Sequence, residues 1–116
     1  MEMQTRESDG VTILDLSGRI VQGGGDLDLK DGLQTLVQQG QKNIVLNLAE
    51  VSYIDSAGLG ALVSAHISLS RDGGRVKLAN VTKKLHDLLA ITKLYLVFET
   101  FDSEDAAVQS YREAAG

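Results

Sequence analysis

The stretch from Ile44 to Gly60, IVLNLAEVSYIDSAGLG in one-letter code, constrains the fold of this chain more than any other. It opens as an apolar run of strand length. Ile44, Leu46 and Leu48 share one face and Val45 lies on the other, the pattern of a central strand buried on both sides. After Ser56 the apolar spacing changes to Leu59, Leu62, Val63 and Ile67, the three- and four-residue step of a helix. Ser56 therefore stands at a strand-to-helix junction, where a serine is a candidate N-cap. Its hydroxyl is expected near solvent, because helix ends and connecting loops reach the surface. Gly58 and Gly60 are poor helix formers placed in the first turn of that helix. Lacking side chains, they let a phosphate or another protein come close to the backbone.

The rest of the chain is punctuated in the same way. Met3 to Ser8 alternates weakly, Asp9-Gly10 suits a tight hairpin turn, and Val11 to Leu16 reads as the partner strand, ending at Ser17-Gly18. Arg19 to Gly25 reads as a glycine-rich loop. Asp26 or Asp28 is the expected cap of a helix carrying Leu29, Leu33, Leu36 and Val37, closed by Gly40. Gly32 inside it reflects either close packing or tolerance. Arg71 to Gly74 ends the helix that follows Ser56, and Val76 and Leu78 mark a short strand. Thr82 is the expected cap of a helix with Leu85, Leu88 and Leu89, with Val81 as a hydrophobic staple. Leu96-Val97-Phe98 reads as the last strand, and Asp102 or Ser103 opens a terminal helix with Ala107, Tyr111 and Ala114 on one face. The order β-β-α-β-α-β-α-β-α implies an α/β fold, with a mixed, mostly parallel sheet of about five strands and about four helices. The 116 residues are expected to form one domain, 1–116.

Composition narrows the function. With no cysteine there is no disulfide framework, and the N-terminus lacks the apolar region of a secretory signal. No run approaches the ~20 apolar residues of a membrane span, so a cytoplasmic protein without membrane attachment is expected. A net charge of −5, scattered Lys and Arg and no tryptophan argue against direct nucleic-acid binding. His66 and His86 stand alone, without the spacing of a metal site, so neither metal nor cofactor is expected. The Gly23-Gly24-Gly25 run is followed by Asp26, where a phosphate-binding loop needs a Lys and then Ser or Thr. Ser56 lacks the Gly-x-Ser-x-Gly frame of a hydrolase elbow because Ile54 holds the first glycine position. Val63 stands where a dinucleotide fingerprint would place its third glycine. The expectation is a binding module, not an enzyme.

Tyr53-Ile54-Asp55-Ser56-Ala57-Gly58-Leu59-Gly60 resembles the signature of the bacterial anti-sigma factor antagonists, single-domain members of the STAS family. Ser17-Gly18-Arg19-Ile20, Asn43 to Leu48, Gly73-Gly74 and Leu85 to Leu94 fall in that family's order. The resemblance implies a STAS fold and a phosphorylation-controlled switch. Ser56 would be phosphorylated by an anti-sigma factor that is also a serine kinase, and a serine phosphatase would reset it. The unphosphorylated form would bind the anti-sigma factor and release a sigma factor. Asp55, Ala57, Gly58, Leu59 and Gly60, with Arg19 and Ile20, would form the partner surface. Ala57 replaces the second hydroxyl residue frequent in the family, and Gly18-Arg19-Ile20-Val21 replaces its usual Gly-Glu-Leu-Asp, which alters a partner-facing loop. A non-switching STAS scaffold in a signalling or transport assembly is the alternative.

Overall fold

The structure is a computed structural model and describes residues 1–115, with side chains through Glu113; the expected inward position of Ala114 lies outside the described side chains. Its elements are β1 (Glu2–Ser8), β2 (Val11–Ile20), α1 (Gly25–Gln38), β3 (Asn43–Ile54), α2 (Ser56–Arg71), β4 (Arg75–Ala79), α3 (Lys83–Thr92), a 3₁₀ turn (Leu94–Leu96), β5 (Thr100–Phe101) and α4 (Glu104–Ala115). The strands lie in the order β1-β2-β3-β4-β5, with β1 antiparallel to β2 and every other pair parallel. β3 is thus the central strand, as its two-faced apolar pattern requires.

The period-two alternation of the strands sends side chains to two cores. On one face Leu14, Leu16, Ile44, Leu46, Leu48, Val76 and Leu78 pack with Leu29, Leu33, Leu62 and Leu69 of α1 and α2, joined by Leu85 and Leu89 of α3. On the other, Val11, Ile13, Val45 and Ala79 meet Ala107, Val108 and Tyr111 of α4. Helices therefore cover both sides of the sheet. Leu62 is fully buried, and truncating such a leucine to alanine costs about 2–5 kcal/mol. The Tyr111 hydroxyl lies 2.7 Å from the Ile44 carbonyl and 2.9 Å from that of Arg75, tying α4 to β3 and β4. Burial pushes its phenol well above the usual range.

α1 and α2 end in the same way. Gly40, at φ 83°, follows α1; its N–H donates to the Val37 carbonyl and the Gln41 N–H to that of Leu36. Gly73, at φ 77°, follows α2 with the equivalent bonds, Gly73 to Ser70 and Gly74 to Leu69. These are Schellman closures, which need a left-handed residue that glycine adopts without strain. Gly32 is explained by packing: a Cβ there would come within 2.9 Å of the Met3 side chain.

Three expectations are corrected. β2 does not stop at Gly18 but runs on to Ile20, because β3 bulges at Ser52, opposite Gly18 at φ 91°, and Arg19 and Ile20 resume pairing with Tyr53 and Ile54. The residue before α1 is Gly24, which has no side chain to cap it, so neither Asp26 nor Asp28 is the N-cap; both lie in the first turn. The last strand is Thr100–Phe101 rather than Leu96-Val97-Phe98. Lys93 takes a left-handed conformation at φ 61°, ends α3 and leads into the 3₁₀ turn, which leaves only Phe98 of that apolar triplet buried. Thr82 caps α3 through the Leu85 N–H, and Ser103 bonds the Ala106 N–H at the start of α4, as expected.

Candidate functional site

β2 and β3 run parallel and end side by side at Ile20 and Ile54, so the loop leading to α1 and the N-terminus of α2 emerge at the same end of the sheet. Asp55 joins them. Its Oδ1 accepts the Gly58 N–H at 2.8 Å and its Oδ2 accepts the Gln22 N–H at 3.0 Å, while its own N–H donates to the Ile20 carbonyl at 3.3 Å. The amides of Gln22 and Gly58 hold its carboxyl below the usual carboxylate range. Asp55, in extended conformation, is the N-cap of α2. This corrects the expectation for Ser56, which is the first helical residue and is exposed. The cap is supplied one residue earlier, and Ser56 is left exposed in the first turn.

The remaining expected residues divide by burial. Ala57 is half-buried and Gly60 is exposed, as is Arg19, whose guanidinium lies 5.3 Å from the centre of the Tyr53 ring. Ile20, Gly58 and Leu59 are buried and position this surface without forming it. The two glycines have different reasons to be there. A Cβ at Gly58 would fall 2.1 Å from the Ile20 carbonyl oxygen and 2.8 Å from the Ile54 side chain, so glycine is required for α2 to sit against the end of β2. A Cβ at Gly60 would meet nothing within 4 Å. No packing demands glycine at that position, although its helix propensity is about 1 kcal/mol worse than alanine's.

Two contributors escaped the sequence. Gln22 enters through its backbone N–H, which leaves no trace in residue type. Tyr53, 47% exposed, stands beside Arg19 on the pairing register of β2 and β3. An aromatic one residue before Ile54-Asp55 was its only available signal.

No acidic side chain occupies the first turn of α2. The free N–H groups and macrodipole at such a terminus favour an anion, and a phosphate on Ser56 would add about −1.5 to −2 charges there. Two surface clefts, one of about 340 Å³ between α1 and α2 and one of about 520 Å³ beside β4, lie away from Ser56. Among the described residues no group of three or more His, Asp or Glu gathers at a potential metal site, and no helix is long and apolar enough to cross a membrane.

A buried two-faced strand, the aspartate-capped helix after it and an exposed serine in its first turn define a small α/β domain with its candidate site at one end of the sheet. Residues 2–107 match the STAS domain family, and the chain belongs to it. It is 26% identical over 105 residues to the anti-sigma F factor antagonist of Paenibacillus polymyxa, covering 90% of this chain and 89% of that protein. Over 81 residues it is 33% identical to the anti-sigma-B factor antagonist of Bacillus subtilis strain 168, covering 70% and 73% respectively. The fold is shared with the anti-sigma factor antagonist SpoIIAA, solved in unphosphorylated and, from Bacillus, phosphorylated forms. Both give a TM-score of 0.73 at 19% identity, covering 96% and 95% of this chain and 98% and 99% of those.

Proposed function

We propose that this protein is an anti-sigma factor antagonist switched by phosphorylation of Ser56. The unphosphorylated surface around Ser56, Gly60, Arg19 and Tyr53 binds an anti-sigma factor that is also a serine kinase, and a sigma factor is released. The kinase transfers the γ-phosphoryl group of ATP to Ser56 Oγ: the O–P bond forms, ADP leaves, and the hydroxyl proton passes to a base of the kinase. The domain supplies the acceptor and no catalysis. A serine phosphatase hydrolyses the ester and restores the binding form.

The observation that carries this reading is the division of labour between neighbours. Asp55 caps the helix, so the cap does not depend on Ser56, which is exposed at the positive end of α2. A phosphate placed there is compatible with the fold but adds bulk and charge next to Asp55 at the partner surface. A hundredfold fall in affinity needs about 2.7 kcal/mol, within the range of an uncompensated charge at an interface. The names of the relatives support the antagonist role, and the two solved forms of SpoIIAA show that a protein of this fold is phosphorylated.

The test is incubation with ATP and a serine kinase of the same genome that binds this protein, followed by mass mapping. Phosphate on Ser56 and its absence from Ser56→Ala are expected. A kinase that binds the protein but leaves Ser56 unmodified would favour the non-switching scaffold.

A further inference from the structure

α1 and α2 run side by side from the same end of the sheet, and the seam between them is not filled. On the α2 side it is lined by Ser64, Ala65 and Ser68, side chains too short to reach across to α1. The result is the cleft of about 340 Å³, within the roughly 300–1,000 Å³ of small-molecule sites. Its floor is apolar: Leu33, Ala65 and Leu69 are buried and Val37 is half-buried. Its rim is polar, with Lys30, Gln34, Ser64, Ser68, Arg71 and Asp72 all exposed.

The charge of this cleft opposes that of the whole chain. Two cations and one carboxylate line it, in a protein with net charge −5. Neither Lys30 nor Arg71 belongs to an ion pair among the described residues. The two cations are not equivalent. Arg71 is the last residue of α2, with Asp72 directly after it, where the negative end of the helix already disfavours an anion. Lys30 stands in the second turn of α1, nearer the positive end, and Asp72 at the far end is the one carboxylate among the lining residues. Asp26, one turn before Lys30, is engaged with the Gly24 N–H at 3.2 Å. An anionic group is therefore drawn to the Lys30 end, with serine hydroxyls on the facing wall.

We propose that the cleft between α1 and α2 binds a small organic acid, a carboxylate carried on a compact aromatic or branched aliphatic body. The carboxylate pairs with Lys30 and accepts from the hydroxyls of the α2 wall. The apolar body lies over Leu33, Ala65 and Leu69, flanked by the aliphatic stems of Lys30 and Arg71. Because the cleft lies away from Ser56, the proposal stands apart from the phosphorylation reading. A ligand that touches both helices stabilises the folded domain by mass action.

The probes are hydrocinnamate and isocaproate, each beside its primary amide, titrated into the full chain while amide shifts and melting temperature are recorded. The acids should move the signals of Leu33, Ser64 and Ser68 saturably and raise the melting temperature as their concentration rises. The amides, equal in shape but uncharged, should bind at least about fivefold more weakly. Lys30→Glu should weaken the acids about tenfold, and Ser68→Leu, which fills the cleft from an exposed position, should abolish the shifts. Both acids should bind Ser56→Asp as they bind the wild type. Four results would each overturn the proposal: no saturable shift, equal binding of acid and amide, full affinity in Lys30→Glu, or shifts confined to the cleft beside β4.

Discussion

α1 and α2 start at the same end of the sheet, one after the loop that follows β2 and the other one residue after β3, and their first turns are built differently. α1 follows Gly24, has no side-chain cap and carries Asp26 and Asp28 in its first turn, so its own carboxylates answer the positive end of the helix. α2 is capped from outside by Asp55, and its first turn presents Ser56, Ala57 and Gly58 with no acidic side chain. Both termini meet a carboxylate, but in α1 the acidic side chains stand within the first turn, whereas in α2 the one carboxylate precedes the helix and the first turn itself carries an uncharged serine. A serine at the start of α1 would meet two carboxylates within its own turn; Ser56 has only that of the capping Asp55 beside it.

The sharpest way to break this contrast is to place the charge on α2 permanently. Ser56→Asp should lower affinity for the anti-sigma factor about a hundredfold, or about 2.7 kcal/mol, while its melting temperature is unchanged or slightly raised. Calorimetric titration and thermal unfolding on the same preparation check this; equal affinity for wild type and variant would remove the switch. Next in size, Gly58→Ala should destabilise by about 1–3 kcal/mol, since its Cβ has to displace the Ile20 backbone or the Ile54 side chain. Denaturant midpoints report it, and an unaltered midpoint would mean that α2 is not pinned to β2.

Gly60→Ala separates fold from function. It should stabilise the protein by about 0.5–1 kcal/mol through helix propensity and yet weaken partner binding, because the added methyl stands on the open surface. Lower stability, or unchanged affinity, would show that this glycine serves packing instead. Acid titration probes Asp55 itself. Its carboxyl is held below the range of an unfolded aspartate, so its contribution is present above about pH 4 and is lost as pH falls through the depressed native value. Asp15, held low by Arg6 and then Asn47, acts in the same direction. Stability measured by urea unfolding should fall below about pH 4, and less steeply in Asp55→Asn; identical slopes would exclude Asp55 as a source. The smallest effect is expected for Ser56→Ala, whose midpoint should shift by no more than ~0.5 kcal/mol because no cap is lost.

The sheet was readable where one physical constraint dominates. β3 shows its two-faced burial directly in Ile44, Val45, Leu46 and Leu48, and Gly40 and Gly73 announce helix ends because few other residues accept that backbone. Thr82 was legible as a cap because it alone precedes its helix. Where two neighbours can serve one role, spacing misleads: Ser56 was read as the cap, and the structure gives that position to Asp55, with Ser56 the first helical residue. Leu96-Val97-Phe98 misled because an apolar triplet reads as a strand even when a left-handed Lys93 turns two of its members to solvent. Ile20 and Leu59 were expected at a partner surface by motif position, and the structure places both in the core.

The central claim is that one exposed hydroxyl in the first turn of α2 governs binding without governing the fold. Its most direct measurement is the dissociation constant for the anti-sigma factor of a single preparation before and after stoichiometric phosphorylation at Ser56, with amide spectra recorded on both. A loss of about two orders of magnitude is expected, with shifts confined to the surroundings of Ser56 and the core unchanged. Equal dissociation constants, or a loss accompanied by rearrangement of the sheet, would contradict it.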